Sequence, residues 1–151
     1  MTGRTSVGPT FEQRRRVVAA DLDEQNHVNN VVYVRWVQEI ATAHWQALAS
    51  EAMRAELAWV ARRHEIDYLA PALLDDELRV HTRVGHAEGL LFERHTEIAR
   101  IADGRILARS RTLWIPVDAR TGRPRRVGPE VRALVSVPDD APDPTAGASP
   151  A

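Results

Sequence analysis

The chain contains no cysteine. That excludes disulfides, thiolate metal sites and a cysteine nucleophile together, and it fits a reducing compartment. Long apolar runs are missing as well: no stretch of about 18 apolar residues occurs, so no membrane-spanning helix is expected. Charge of one sign is lacking. The 20 Lys and Arg against 21 Asp and Glu leave a net charge of −1, which gives no global field for nucleic acid. The stretch MTGRTSVGPT has no apolar signal core, so the expectation is a cytoplasmic protein. No Gly-x-Ser-x-Gly is present, which leaves an α/β-hydrolase triad unsupported. His27, His44, His64, His81, His86 and His95 show no paired ligand spacing on a helix face, so no metal is expected.

What is present is ordinary for one globular domain: 151 residues, 44% hydrophobic and 27% charged, with no internal repeat. The first ten residues are small and polar, and PDDAPDPTAGASPA (138–151) holds four prolines. Residues 1–10 are expected to be flexible and 138–151 disordered, the tail because it carries too little apolar surface to offset ordering. The domain is then 11–137. Within it, FEQRRRVVAA (11–20) predicts a strand. A helix is predicted from about Asn30 to Ala49, since Val32, Trp36, Ile40 and Ala43 recur at three- to four-residue spacing. Val34, Val37, Ala41, Trp45 and Leu48 widen that stripe, so the helix should be buried over most of its circumference.

Four strands are predicted to follow, at 57–71 (stopped by Pro71), 77–89, 90–104 and 105–119, with Ala102-Asp103-Gly104 as a hairpin turn. A short helix at 129–135 begins on Pro129. One strand, one long helix and a run of antiparallel strands make an α+β domain with the sheet packed on the helix. A single helix cannot cover a wide sheet, so a face or edge of it is expected to meet another subunit, giving an oligomer.

The densest polar stretch, DLDEQNHVNN (21–30), immediately precedes the long helix. Capping explains part of it. With Asn29 as the cap, Val28 and Tyr33 stand at the spacing of a hydrophobic staple. Asp23, Gln25 and His27 are surplus to that role. They sit beside a helix N-terminus, whose unpaired N–H groups receive an oxyanion. A carboxylate there suits acyl transfer: the N–H groups near Asn30 and Val31 polarise a carbonyl while Asp23 attacks it or activates water.

Asp21-Leu22-Asp23, His27-Val28-Asn29-Asn30, Tyr33 and Trp36 resemble the signature of hot-dog-fold acyl thioesterases, and plant acyl-ACP thioesterases have a similar run. IDYLAPALLDDELRV (66–80) is similar to a second block of bacterial acyl-CoA thioesterases of the 4-hydroxybenzoyl-CoA and Tol-Pal-associated type. VDARTGRPRRV (117–127) resembles that family's end, so the likeness spans about residues 11–135. It implies a hot-dog fold: an antiparallel sheet wrapped around one long central helix, two subunits pairing into a continuous sheet, and active sites at their interface. It also implies hydrolysis of an acyl- or aroyl-CoA, or acyl-ACP, thioester without a cofactor. Asp23 takes the place of the catalytic aspartate and His27 that of the plant histidine. Gln25 stands where the plant enzymes have Asn, and Pro71 and Ala72 fall near their further acidic or Cys residue. The single-aspartate bacterial pattern is therefore the one carried over, with Gln25 and His27 positioning the reacting groups and Tyr33 at the substrate.

Around the Thr121-Gly122 turn, Arg123, Arg125 and Arg126, with Arg120, offer guanidinium groups suited to the phosphates of coenzyme A or phosphopantetheine. Trp59 or Trp114 is a candidate wall of an acyl pocket, and of His64 and Glu65 at most one can face it, as strand neighbours. Two rivals stay open: a hot-dog enoyl-thioester hydratase or dehydratase, and a non-catalytic acyl-thioester-binding hot-dog protein. Oligomers of two or four subunits are both compatible with the family.

Overall fold

The computed structural model describes residues 9–138. The ends expected to be flexible lie outside the described residues, apart from 9, 10 and 138. The elements run β1 (Thr10–Arg16), a 3-10 turn (Ala19–Asp21), α1 (Asn30–Leu48), α2 (Glu51–Glu56), β2 (Leu57–Tyr68), β3 (Glu77–Glu88), β4 (Leu91–Arg100), β5 (Ile106–Asp118) and α3 (Pro129–Val135). The five strands form one antiparallel sheet in the order β1-β3-β4-β5-β2. No helix among the described residues is long and apolar enough to cross a membrane.

α1 starts where the sequence puts it. The Asn29 side chain accepts the Val31 N–H at 3.1 Å, which satisfies one of the donors a helix start leaves open. Val28 and Tyr33 share one buried cluster, as a staple requires. The helix buries a single broad stripe, Val32, Tyr33, Trp36, Val37, Ile40, Ala41 and His44. The expectation of burial over most of the circumference is corrected here. Val31 is 71% exposed and Val34 half-buried, so within one subunit the outer side of α1 is uncovered.

The core divides along α1. Under its N-terminal half, Trp36 and Ile40 pack with Leu78, Val80, Ile98 and Leu107. Each large apolar side chain fully buried there contributes roughly 1.5–3 kcal/mol. Under the C-terminal half, Trp45, Trp59 and Trp114 pack with Leu57, Phe92 and α3. Between the two apolar clusters lies a buried polar layer of His44, Arg94, Thr82 and Thr96.

Register shifts at Ala61/Arg63, Val84/Ala87 and Ile98/Ala99 interrupt the ladders. Bulges bend strands and increase twist, which lets a five-stranded sheet curl around one helix. β2 ends the sheet on one side, so its outer backbone edge pairs with nothing among the described residues.

Candidate active site

The chain from Leu22 to Asn29 closes into a tight loop. Leu22 bridges Val28, the Asp23 N–H donates to the His27 carbonyl at 2.8 Å, and the Asn26 N–H donates to the Asp23 carbonyl at 3.1 Å. Asn26 turns the chain with φ of 62°, a left-handed conformation that Asn tolerates better than most side chains. The loop is anchored on both sides. The Val28 N–H donates to the Ala72 carbonyl at 3.0 Å, and the Ala72 N–H donates to the Tyr33 hydroxyl at 3.1 Å. Asp21, 5% exposed, fixes the entrance, accepting the Val18 N–H at 3.0 Å and the Arg35 guanidinium at 3.2 Å.

Asp23 is half-buried. Its Oδ1 accepts the N–H groups of Gln25 at 2.9 Å and His27 at 3.2 Å. The aspartate therefore shapes its own loop, a structural role that the cap-based reading of the sequence misses. Oδ2 takes no hydrogen bond among the described residues. Gln25, His27, Asn30, Tyr33 and Tyr68 join Asp23 around one cavity of about 440 Å³. The His27 imidazole takes no side-chain partner among the described residues.

Tyr33 is buried, and burial raises its pKa, partly offset by the Ala72 N–H. Tyr68, which sequence reasoning passes over, donates its hydroxyl to the Asn30 carbonyl at 3.2 Å and packs edge-on against Tyr33 at 5.4 Å. Its pKa is raised by burial. The only sequence signal for it is its place just ahead of Pro71 in the second block.

Within one subunit the geometry departs from two expectations. The Val31 N–H is already engaged by the Asn29 side chain, and Val31 does not line the cavity. The Asn30 N–H, in contrast, meets no acceptor among the described residues, and Asn30 does line it. Arg123, Arg125 and Arg126 are exposed and far away within the subunit. They follow Asp118, which pairs with Leu57 at one end of β2, whereas the cavity uses Tyr68 at the other. Eleven residues of strand at about 3.3 Å each separate those ends by roughly 36 Å. Arg125 is engaged locally, with Asp118 at 3.4 Å and Glu56 at 3.6 Å.

A second cavity of about 400 Å³ opens under the C-terminal half of α1, walled by Trp45, Trp59, Phe92 and Trp114, with Arg94 in its lining. Trp59 and Trp114 thus both wall a pocket, as the sequence reading allows. His64 lines neither cavity; it contacts Thr112 at 3.0 Å, while Glu65 pairs with Arg63 at 2.8 Å. Along α1, the nearest lining residues of the two, Tyr33 and Ala41, are eight residues apart, about 12 Å at 1.5 Å per residue, and the two cavities share no lining residue.

Residues 17–135 match the family model described as the thioesterase-like superfamily. No curated protein matches the chain. Solved structures match in fold. A 1,4-dihydroxy-2-naphthoyl-CoA thioesterase from Synechocystis aligns with TM-score 0.70 at 21% identity, over 83% of this chain and 96% of that one. A thioesterase from Thermus thermophilus, complexed with coenzyme A and Zn, gives 0.71 at 24% identity, over 82% and 90%. The 12:0-ACP thioesterase from Umbellularia californica gives 0.73 at 17% identity, over 94% of this chain and 56% of that one. The five-stranded sheet around a long helix is the hot-dog fold of these proteins.

Proposed function

The chain belongs to the thioesterase-like superfamily, and from that premise we propose that it hydrolyses an acyl or aroyl thioester of coenzyme A or acyl carrier protein to the free acid and thiol. The observation that carries the reading is the meeting of the open Asp23 Oδ2 and the unused Asn30 N–H on one cavity at the start of α1. The thioester carbonyl lies against the Asn30 N–H, where the helix N-terminus stabilises the oxyanion. Asp23 either attacks the carbonyl carbon or takes the proton from an attacking water. By either route the thiolate leaves and takes up a proton released by water, which also opens the mixed anhydride where Asp23 is the nucleophile. Gln25 and His27 position the substrate at the rim, and the Tyr68–Asn30 bond holds the first turn in place.

The outer edge of β2 supports a homodimer. Two-fold pairing of that edge with its copy is antiparallel, so the Tyr68 end of one strand faces the Leu57 end of the other. The basic loop of one subunit, carrying Arg123, Arg125 and Arg126, then approaches the Asp23 cavity of the other and can meet coenzyme phosphates there. That gives these arginines the role they cannot have within one subunit.

Thiol release over a panel of acyl and aroyl thioesters on both carriers tests the proposal. Asp23→Asn is the clean variant, because the amide oxygen keeps both loop hydrogen bonds while the charge and basicity are lost. It should lower kcat by about 10²–10³-fold with little change in KM. Unchanged turnover on the best substrate would overturn the assignment.

A further inference from the structure

We infer that the cavity walled by Trp45, Trp59 and Trp114 binds a carboxylate, and that the acyl group of the substrate carries one, gripped by the Nε–Nη2 edge of Arg94. The anion site stands on the cavity itself; only the identity of what carries the carboxylate rests on the thioesterase reading.

Arg94 sits mid-strand on the face of β4 that packs on α1, and it is 7% exposed. Removing a guanidinium from water costs several kcal/mol unless a charge compensates. Among the described residues no carboxylate lies within ion-pair reach of it. Its Nη1 hydrogens are both used, one toward His44 Nδ1 at 2.8 Å and one toward Thr82 Oγ1 at 3.2 Å. The Thr82 hydroxyl in turn donates to the His95 carbonyl at 3.1 Å and accepts from Thr96 at 3.0 Å. The Nε and Nη2 donors have no acceptor among the described residues, and Arg94 lines the cavity. Arg111 shows what such an edge holds: its Nε and Nη2 grip the Glu93 carboxylate at 3.0 and 2.7 Å. Burial lowers the pKa of Arg94 to about 10, so it stays a cation at neutral pH.

The surroundings reinforce the sign. Arg54, at the exposed rim, adds a second positive charge and takes no ion-pair partner among the described residues. Glu93 also contributes to the lining, but as the strand neighbour of Arg94 it directs its side chain to the opposite face, where Arg111 and His95 hold it. The cavity thus offers positive charge to an anion, and aromatic faces to an apolar body. Antiparallel pairing of the β2 edge places Leu57, Ala58 and Trp59 of this cavity beside the Tyr68 end of the copy. An acyl group held at the Asp23 loop of one subunit then enters the aromatic cavity of the other.

The test uses the full chain and its own tryptophans. Fluorescence titration with 4-phenylbutyrate and with its neutral amide should show the acid binding at least about tenfold more tightly. Arg94→Met should erase the difference and Arg94→Lys retain part of it. Equal binding of acid and amide to the unaltered protein overturns the anion site, whether or not the variants fold. In turnover, adipoyl-CoA should exceed hexanoyl-CoA in kcat/KM by a similar factor. Acid-selective binding with no thioester hydrolysed would sink the thioesterase reading and leave the anion site. Hydrolysis with no preference for the acid in binding or turnover would do the reverse.

Discussion

Asp23 commits one carboxylate oxygen to its own loop and leaves the other open, which is why its neighbours can be so polar without being caps. Oδ1 ties the N–H groups of Gln25 and His27 into the loop, and Oδ2 takes no hydrogen bond among the described residues. His44 is the opposite case, a titratable group whose buried site allows one state. Its Nδ1 faces the Arg94 guanidinium, so it accepts there and carries its proton on Nε2. Burial, and then the charge of Arg94, lower its pKa to about 4. The unfolded chain binds that proton near pH ~6.5, so the unfolded state holds more protons between the two values. Stability from this group is full above pH ~6.5 and is lost as pH falls toward 4, by about 2 kcal/mol at pH 5. Urea midpoints at pH 7 and pH 5 check this. His44→Gln, which keeps an acceptor for Arg94 but does not titrate, should show a shallower loss than the unaltered protein.

Among the elements, α1 and its cap are the most dependent on local chemistry. Asn29→Ala removes the acceptor for the Val31 N–H, and should lower stability by about 1 kcal/mol, read as a reduced urea midpoint with unchanged slope. That cap was legible in the sequence because Asn29 and the Val28–Tyr33 staple are contiguous signals. The β4–β5 turn was legible for the same reason: Gly104 supplies the positive φ of 69°, and Asp103 accepts the Arg105 N–H at 3.1 Å. The first strand stops at Arg16 instead of continuing through 11–20, since Asp21 draws the Val18 N–H into a 3-10 turn. α2 went unread: EAMRAE is six residues with no buried member, so it carries no apolar period, and only the Ser50 cap marks it. The Asp23 cavity was half legible, because Asp23, Gln25, His27 and Asn30 share a loop while Tyr68 arrives from 38 residues beyond Asn30. The Arg94–His44 contact joins residues 50 apart across the sheet and helix. No periodicity encodes such a pair; it exists only once β4 packs on α1.

At the scale of the whole molecule, the charge nearly cancels but its distribution does not. One cavity presents Asp23, the other presents Arg94, and within a subunit their nearest lining residues on α1, Tyr33 and Ala41, stand about 12 Å apart. In the proposed two-fold pairing a second copy brings the Arg94 cavity toward the Asp23 loop. The outer edge of β2 is the feature that suits such a pairing, with twelve residues of strand, Val60 51% exposed, and no neighbour beyond it among the described residues. Long open edges template further pairing. The protein should therefore run in light scattering at no less than twice the 16.9 kDa of the chain, and a monomer at micromolar concentration would overturn the assembly. Arg62 gives a sharper lever. It falls in the register shift between Ala61 and Arg63 and has no partner on β5, so proline there spares the inner ladder while stiffening and blocking the edge. Arg62→Pro should shift the mass toward the monomer and depress thioester hydrolysis at least about tenfold, although every residue of the Asp23 loop is unchanged. Full activity in a monomeric Arg62→Pro protein would show that one subunit suffices, and would return the acyl group to the Asp23 cavity alone.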